Sequence, residues 1–194
     1  MSNEMNKVKV WDVFVRLFHW SLVACFFVAY ITEEDFLFIH TYAGYGVLAL
    51  ILLRFVWGFI GTKYARFSNF VYSPAQIKQF LKDTLLLRAK HYLGHNPAAG
   101  AMILLMMASL LITTLSGVAL YGAEEQAGPL ASWFTQSNEF WKDVLEEIHE
   151  LFADFTVVLV VIHVAGVIVE SLINKENLIK AMIDGKKVSA ADKE

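Results

Sequence analysis

Residues 149–173, HELFADFTVVLVVIHVAGVIVESLI, carry most of the information about the architecture of this chain. The run is mostly apolar and exceeds the roughly 20 residues that an α-helix needs to cross the hydrocarbon of a bilayer. Because lipid offers no hydrogen bonds to the backbone, helix is the state that such a run adopts there. His149 and His163 interrupt the run, and polar groups at membrane depth are costly enough to require a function.

Three further apolar runs, at residues 13–31, 36–60 and 98–121, have the same character. Strands of a membrane barrel would alternate polar and apolar residues, and these runs do not. The sequence therefore predicts one all-α domain over residues 1–194, an integral membrane four-helix bundle with a long connection at 61–97. The acidic turn Thr32-Glu33-Glu34-Asp35 follows the first run without a small-residue cleavage pattern, so we expect a retained helix rather than a cleaved signal peptide.

Lysine and arginine indicate the orientation of the helices. They cluster in the N-terminal tail, in the 61–97 connection and in the C-terminal tail, which includes Lys187 and Lys193, whereas the other two connections contain only Lys142. We therefore expect both termini and the 61–97 connection on the cytoplasmic side. The other two connections are rich in glutamate and aspartate. Their acidity is either a solvated rim or a docking face for a positively charged redox partner.

The 61–97 connection contains its own helix signal. Ser73-Pro74 supplies a capping serine and a proline at the first helical position. Apolar residues then recur at helical spacing, with lysines on the opposite face. The pattern predicts a short amphipathic helix that lies on the membrane surface.

Four histidines match in pairs by their depth in the membrane. At about 100° per residue, His149 and His163 leave nearly the same face of their helix, about 21 Å apart along its axis. His40 lies near the outer start of the second helix and His19 near the cytoplasmic start of the first. Depth therefore pairs His40 with His149 at the outer level, and His19 with His163 at the inner level. We predict two haem b groups, one for each pair, because two imidazoles complete the axial coordination of haem iron.

A haem is not the only role open to these histidines. For any one of them taken alone, an interfacial or core histidine bonded to a backbone carbonyl or a neighbouring helix would be the more common explanation, but the match by depth favours ligation for the four together. Zinc or copper could use the same nitrogens, but two histidines lack the further ligands that a structural zinc needs. Cys25 is the only cysteine, so covalently attached haem and a four-cysteine iron–sulfur cluster are excluded.

Two glycines and two arginines are candidates for contact with the haems. Gly44 and Gly46 would let either a porphyrin or a neighbouring helix come close. Arg54 follows His40 at the same offset that separates the two histidines of the fourth helix, which places it at the inner level. There its guanidinium could pair with haem propionates, and Arg16 is a second candidate. Snorkelling toward the interface would account for either arginine equally well.

The remaining two histidines belong to the 61–97 connection. His95 opens the third helix in the sequence Gly94-His95-Asn96-Pro97, at the cytoplasmic interface. It could contact a propionate, relay protons to a quinone or cap the loop. His91 is expected simply to be exposed.

Several short motifs, spread over nearly the whole chain, are typical of one family, although no single motif is specific. They are Val10-Trp11-Asp12, Arg16-Leu17-Phe18-His19-Trp20, His40, Gly44-Tyr45-Gly46, Arg54-Phe55, Trp57-Gly58-Phe59, Tyr64-Ala65-Arg66-Phe67, Tyr92-Leu93-Gly94-His95-Asn96-Pro97, His149-Glu150 and His163-Val164-Ala165. In this combination the chain resembles the bacterial cytochrome b561 and nickel–iron hydrogenase b-type cytochrome family.

The resemblance implies a multi-pass dihaem b-type cytochrome of the bacterial cytoplasmic (inner) membrane. It also implies His19, His40, His149 and His163 as axial ligands. Such a protein is expected to transfer electrons between the membrane quinone pool and a periplasmic partner, a cytochrome c or another redox subunit, in a respiratory chain. Lipid, quinone and a redox protein are then its partners, with no nucleic acid.

Two other functions are possible for such a chain. One is a stand-alone membrane oxidoreductase, such as a superoxide oxidase that reduces quinone. The other is a non-redox membrane anchor or transporter whose histidines bind protons or a metal. The sequence favours an electron-transfer subunit of an oxidoreductase complex over both.

Overall fold

The computed structural model describes residues 7–33, 35–86, 88–135 and 139–188. Glu34 and Lys193, which contribute to the charge pattern of the sequence, lie outside these ranges. The described residues form six α-helices and two short strands. In chain order they are β1 (Lys7–Lys9), α1 (Val13–Ile31), α2 (Leu37–Ile60), α3 (Pro74–Leu85), α4 (Pro97–Glu124), α5 (Glu139–Asn174), α6 (Leu178–Asp184) and β2 (Lys186–Val188).

Four of these helices, α1, α2, α4 and α5, are long and apolar enough to cross a membrane. Many of their large apolar side chains face outward: Ile31, Phe38 and Leu172 are 75%, 71% and 72% exposed. A surface of this kind would drive a water-soluble protein to aggregate, whereas in a bilayer it contacts lipid. The prediction of an all-α, multi-pass membrane protein is confirmed.

The predicted bounds of α1, α2 and α4 agree with the structure to within a few residues, but the predicted start of the fourth spanning helix at 149 is wrong. Helix α5 begins at Glu139 instead. The intervening turns are too polar to register as a membrane span, yet they continue the same helix. Glu139 lies in the first turn, where the helix dipole favours a carboxylate, and it accepts a hydrogen bond from Lys142 Nζ at 3.0 Å.

The chain divides into two compact units. The first contains the described residues of 1–18, 54–104 and 160–194. Its core includes Trp11, Val15, Ala65 and Ala181. Strands β1 and β2 pair antiparallel in this unit, a contact that was not predicted from the sequence because each strand has only three residues.

A glycine turn supports this pairing within the first unit. Gly185 ends α6 with a left-handed backbone (φ 81°), and its carbonyl accepts hydrogen bonds from the backbone N–H groups of Val10 and Trp11. A Cβ at position 185 would lie 2.6 Å from Trp11 O, so both the conformation and the close approach require glycine.

The second unit contains residues 19–53 and 105–159, as far as they are described. Its core centres on Val47, Ile51 and Leu110. Ser109 of α4 and Thr156 of α5 are buried and share a hydrogen bond of 2.7 Å between their hydroxyl oxygens. Such bonds hold membrane helices together because lipid offers no competing partner.

Helix α3 begins where the sequence predicts. Ser73 Oγ accepts a hydrogen bond from the backbone of Gln76, the Gln76 side chain accepts one from the backbone of Ser73, and Pro74 occupies the first helical position. Phe80 is buried, while most other side chains of α3 are exposed. The helix is therefore amphipathic, and its place on the membrane surface stays a prediction.

Candidate functional site

His40 and His149 face each other in the second unit. His40 lies in the first turn of α2, and His149 lies in α5, ten residues after that helix begins at Glu139. Their ring centroids are 5.9 Å apart and the ring planes are inclined by 75°. Both side chains are half-buried. The pair predicted from membrane depth is thus close in space.

Each imidazole of this pair is held by a backbone carbonyl of a different helix. His40 Nδ1–H donates to Ala29 O of α1 at 2.9 Å, and His149 Nδ1–H donates to Thr113 O of α4 at 2.8 Å. A proton on Nδ1 leaves the lone pair on Nε2, which is the usual state of a metal-bound histidine. These bonds also fix the orientation of each ring.

The spacing of the two rings fits one shared iron. A metal–imidazole bond is about 2 Å long. Because each coordinating nitrogen lies about 1 Å from its ring centre, two imidazoles on one ion have centres about 6 Å apart. An edge-to-face ring contact falls in the same range. The two Nδ1 bonds are compatible with either arrangement, and they leave the Nε2 lone pair of both rings available.

Glycines make room around this pair. A Cβ at Gly117 of α4 would lie 2.6 Å from His149 Cε1 and 2.8 Å from His149 Nδ1, so only glycine lets the ring reach Thr113 O. Gly117 was not predicted from the sequence, although the dipeptide Ser116-Gly117 inside an apolar helix was an available signal. A Cβ at Gly44, one turn after His40 in the chain, would meet no atom within 4 Å, so there is open space at this position.

Gly46 has a different role from Gly44. A Cβ at Gly46 would lie 3.2 Å from the Sγ atom of Cys25 in α1. Close packing against a neighbouring helix, rather than room for a porphyrin, therefore accounts for glycine at position 46. Of Gly44 and Gly46, only Gly44 has open space beside it.

His19 and His163 belong to different units. His19 lies in α1 within the second unit, half-buried, with its ring edge-on to Trp20 at a centroid distance of 5.1 Å. His163 lies in α5 within the first unit and is also half-buried. A Cβ at Gly166, one turn after His163, would again meet no atom within 4 Å. The pairing of His19 with His163 stays a prediction.

Arg54 is a buried cation in the first unit. It is 3% exposed, and its Nη2 donates to Ala65 O at 3.0 Å. The guanidinium lies over the rings of Phe67 and Phe70, at 5.5 and 5.8 Å from their centroids. Nη1 is buried and has no hydrogen-bond partner among the described residues. A buried charge with an unused donor favours an anionic ligand at this point.

Arg16 contacts the backbone near the end of α6. Its Nη1 donates to Ile183 O at 2.5 Å, while Nε is buried without a hydrogen-bond partner in the described part of the chain. The first contact is structural, because it joins the start of α1 to α6. The unpaired Nε–H leaves Arg16 with one available hydrogen-bond donor, as Nη1 does for Arg54.

His95 does not open the third spanning helix, contrary to the expectation from the sequence. Helix α4 begins at Pro97, and Asn96 caps it by accepting a hydrogen bond from Ala99 N at 2.8 Å. The His95 ring instead packs between Trp11 and Phe70, with centroid distances of 4.5 and 4.9 Å. Its Nδ1 is buried and lacks a hydrogen-bond partner within the described ranges.

The surroundings of His95 keep it neutral. Burial lowers the pKa of the imidazole to about 3, and the nearby charges of Arg54 and Lys187 act in the same direction, with a smaller effect from His163. A neutral imidazole can donate one hydrogen bond and accept another. His95 is therefore suited to bind a polar ligand without bringing a charge to it.

The expectation that His91 is exposed is wrong. Its side chain is 13% exposed, and Nε2 lies 3.3 Å from Oε2 of Glu176, which is 6% exposed. The other carboxylate oxygen of Glu176 accepts a hydrogen bond from Val188 N at 2.6 Å. The partner comes from the connection between α5 and α6, far away in the sequence, so the local pattern around His91 gave no sign of it.

Asp12 has a structural role in the first unit that was not predicted from the sequence. Its carboxylate accepts hydrogen bonds from Val15 N, Trp57 Nε1 and Thr62 Oγ1, at 2.8, 3.1 and 2.6 Å. Partial burial raises the pKa of this carboxyl, but the hydrogen bonds outweigh burial and hold the pKa below its ordinary value. Asp12 therefore caps α1 and ties it to the end of α2.

These features define a multi-pass membrane protein in which two histidines of different helices face each other. The family profile of the prokaryotic cytochrome b561 matches residues 10–185, and the chain belongs to that family. It is a membrane b-type cytochrome that functions in electron transfer, and its family implies haem b as the cofactor.

Relatives of known name match along nearly their whole length. The "Probable Ni/Fe-hydrogenase B-type cytochrome subunit" of Rhizobium leguminosarum bv. viciae is 26% identical over 219 residues, which cover 95% of this chain and 90% of the relative. The protein of the same name from Cupriavidus necator is 27% identical, with 91% and 85% covered. The "Probable Ni/Fe-hydrogenase 1 B-type cytochrome subunit" of Escherichia coli K12 is 24% identical, with 91% and 88% covered. No solved structure gives a significant match.

Proposed function

We propose that this protein holds two haem b groups and transfers electrons between the membrane quinone pool and a redox protein on the outer face of the bacterial inner membrane. His40 and His149 ligate the outer haem, and His19 and His163 ligate the inner one. Each haem supplies an iron that takes up and releases one electron reversibly. The chain contributes the ligands, their orientation and the burial that sets the potential.

The observation that carries this proposal is the His40–His149 pair with its two Nδ1 bonds. A core histidine needs only one satisfied nitrogen, and two such rings need not face each other. Here both rings donate through Nδ1 to a helix carbonyl, and both have Nε2 left for a metal. The ring separation of 5.9 Å agrees with one shared ion.

Further residues have supporting roles in the proposal. Arg54 offers its unused Nη1 to a propionate of the inner haem, and Arg16 offers its Nε to the same kind of group. Gly44 provides the open space that the porphyrin edge of the outer haem needs. His95 is neutral and its Nδ1 atom is buried, so it contributes a hydrogen bond near the inner haem.

Charge and relatedness support the outer partner. The relatives from the three bacteria are hydrogenase cytochrome subunits by name, so a redox enzyme subunit is the kind of partner we propose. The connections that we assign to the outer side carry exposed acidic residues, among them Glu33, Glu125 and Glu139. A positively charged partner would be attracted to them. Lysine and arginine on the opposite side support cytoplasmic termini.

Single-histidine variants test the ligand assignment. His40→Ala and His149→Ala should each remove the same haem, whereas His19→Ala and His163→Ala should each remove the other. Redox titration of the purified holoprotein, followed by the haem α band, resolves which component is lost. His91→Gln is the matched control and should retain both. Loss of different haems from His40→Ala and His149→Ala would show that the pairing is wrong.

A further inference from the structure

The backbone carbonyl that holds His149 also accepts a hydrogen bond from a hydroxyl. His149 Nδ1–H donates to Thr113 O at 2.8 Å, and Ser116 Oγ–H donates to the same oxygen at 3.0 Å. Thr113 lies well inside α4, where the helix also assigns its carbonyl to the N–H group four residues on. A carbonyl oxygen has two lone pairs, so three donors exceed its accepting capacity. The histidine and the serine therefore compete for this oxygen.

The Ser116 hydroxyl is buried and has a second acceptor. Ser116 is 7% exposed, and its Oγ atom also lies 2.8 Å from Ile112 O, so its one proton is divided between two carbonyls. Bonds from serine back to its own helix are common in membrane helices. Ser116 differs from an ordinary case because one of its two acceptors also holds a histidine. Its share of Thr113 O weakens the bond that this oxygen makes to His149.

The facing histidine has a weaker version of the same arrangement. His40 Nδ1–H donates to Ala29 O at 2.9 Å, and Thr32 Oγ1 lies 3.4 Å from that oxygen, three residues further along the chain. The stronger bond of the Thr32 hydroxyl, at 2.7 Å, goes to Val28 O. Ala29 lies in the last turn of α1, where carbonyls lack the regular intrahelical partner. The carbonyl at His40 is therefore less contested than the one at His149.

The strength of an Nδ1 bond affects any metal that the ring binds through Nε2. A histidine that donates more strongly through Nδ1–H is a more basic ligand, and it stabilises the oxidised, more positive iron. Hydrogen bonding around the ligands is one of the means by which a protein sets the reduction potential of haem. A hydroxyl that competes for Thr113 O therefore favours the reduced iron. The O–H dipole acts in the same direction, because its positive end points toward the oxygen that His149 contacts.

We propose that Ser116 is a positioning residue that raises the reduction potential of the outer haem by sharing Thr113 O with His149. Thr32 acts on His40 in the same way but more weakly. This inference rests on the proposed ligation of the outer haem by His40 and His149, and it adds residues that set the potential of that haem. Neither hydroxyl is required for the haem to bind.

Ser116→Ala removes the hydroxyl with almost no change in shape. In a redox titration of the haem-loaded protein, the outer haem should shift about threefold toward the oxidised form, which is a fall of about 30 mV because tenfold corresponds to about 59 mV for one electron. The inner haem should keep its potential. Thr32→Val should lower the outer potential by less than Ser116→Ala does, because its contact is longer.

Thr114→Val is the matched control on the same helix. Thr114 is 8% exposed and its hydroxyl also bonds back to α4, at 2.8 Å from Leu110 O and 3.2 Å from Leu111 O. Neither of these carbonyls holds a histidine among the described residues. Thr114→Val should therefore leave both potentials unchanged. A fall of the outer potential in Thr114→Val as large as that in Ser116→Ala would overturn the specific role of Ser116.

The Nδ1 proton of His149 reports the hydrogen bond directly. Reduced haem iron with two imidazole ligands is diamagnetic, so NMR of dithionite-reduced holoprotein, isotope-labelled at histidine, can follow this proton. Its resonance should move downfield in Ser116→Ala and stay in place in Thr114→Val. An outer potential that is unchanged or higher in Ser116→Ala, with both haems bound, would overturn the role of Ser116 and leave the ligand assignment intact. Retention of both haems in His149→Ala would overturn that assignment, and this inference with it.

Discussion

Gly117→Ala is the sharpest perturbation that the structure offers, because it displaces the His149 ring without replacing either proposed ligand of the outer haem. The added Cβ would lie 2.6 Å from His149 Cε1, where ordinary contacts begin at 3.4 Å. The ring must therefore retreat by nearly 1 Å from α4, which breaks the 2.8 Å bond from His149 Nδ1 to Thr113 O. Loss of such a supporting hydrogen bond typically costs 10- to 100-fold in metal affinity.

The expected result is selective loss of one haem. Titration of purified Gly117→Ala with haem, followed by absorption, should show that one site binds haem about 10- to 100-fold more weakly and that the affinity of the other site is unchanged. Gly166→Ala is the control, because it is also a helical glycine but its added Cβ would meet no atom within 4 Å. It lies in the first unit, so the outer haem should bind as in the wild type. A Gly117→Ala protein with two normal haem sites would refute the role given to His149.

Three further predictions follow from the polar contacts. Arg54→Gln removes the buried cation that we assign to a propionate. The reduction potential of the inner haem should therefore fall by about 60 mV in a redox titration, which corresponds to a tenfold change for one electron. An unchanged potential would argue against the contact. Ser109→Ala should destabilise the protein by only about 0.6 kcal/mol in detergent unfolding, because Thr156 still donates to Phe152 O at 2.7 Å. Asp12 has a lowered pKa in the folded state, so the stability it contributes should be present above its ordinary pKa and be lost as pH falls through the lowered value. Thermal unfolding from pH 7 to pH 3 should show this loss in the wild type and a smaller one in Asp12→Asn.

The spanning helices were predictable from the sequence because lipid leaves the backbone no alternative to helix. The common depth of His40 and His149 in the membrane was also predictable, because the depth of a residue depends only on chain direction and helix rise. The backbone carbonyls that accept hydrogen bonds from their Nδ1 atoms could not be predicted from the sequence. Which carbonyl lies opposite each ring depends on how each helix is rotated about its own axis. Gly117 was missed for the same reason.

Contacts between distant segments were the other limit of prediction from the sequence. His91 contacts Glu176, and Lys187 contacts Tyr92 O, although each pair is separated by the whole of α4 and α5. Lysine in the C-terminal tail was used only as a topology signal, yet Lys187 is 6% exposed and part of the first unit. Hydropathy and periodicity describe single segments, so they cannot reveal such pairs.

The haem-to-chain ratio of the purified protein tests the central claim most directly. After expression with ample haem, a pyridine haemochrome assay combined with quantitative amino-acid analysis should give two haem b per chain, with a dithionite-reduced spectrum of b type. A colourless protein, or one haem per chain that survives in both His40→Ala and His149→Ala, would contradict the account.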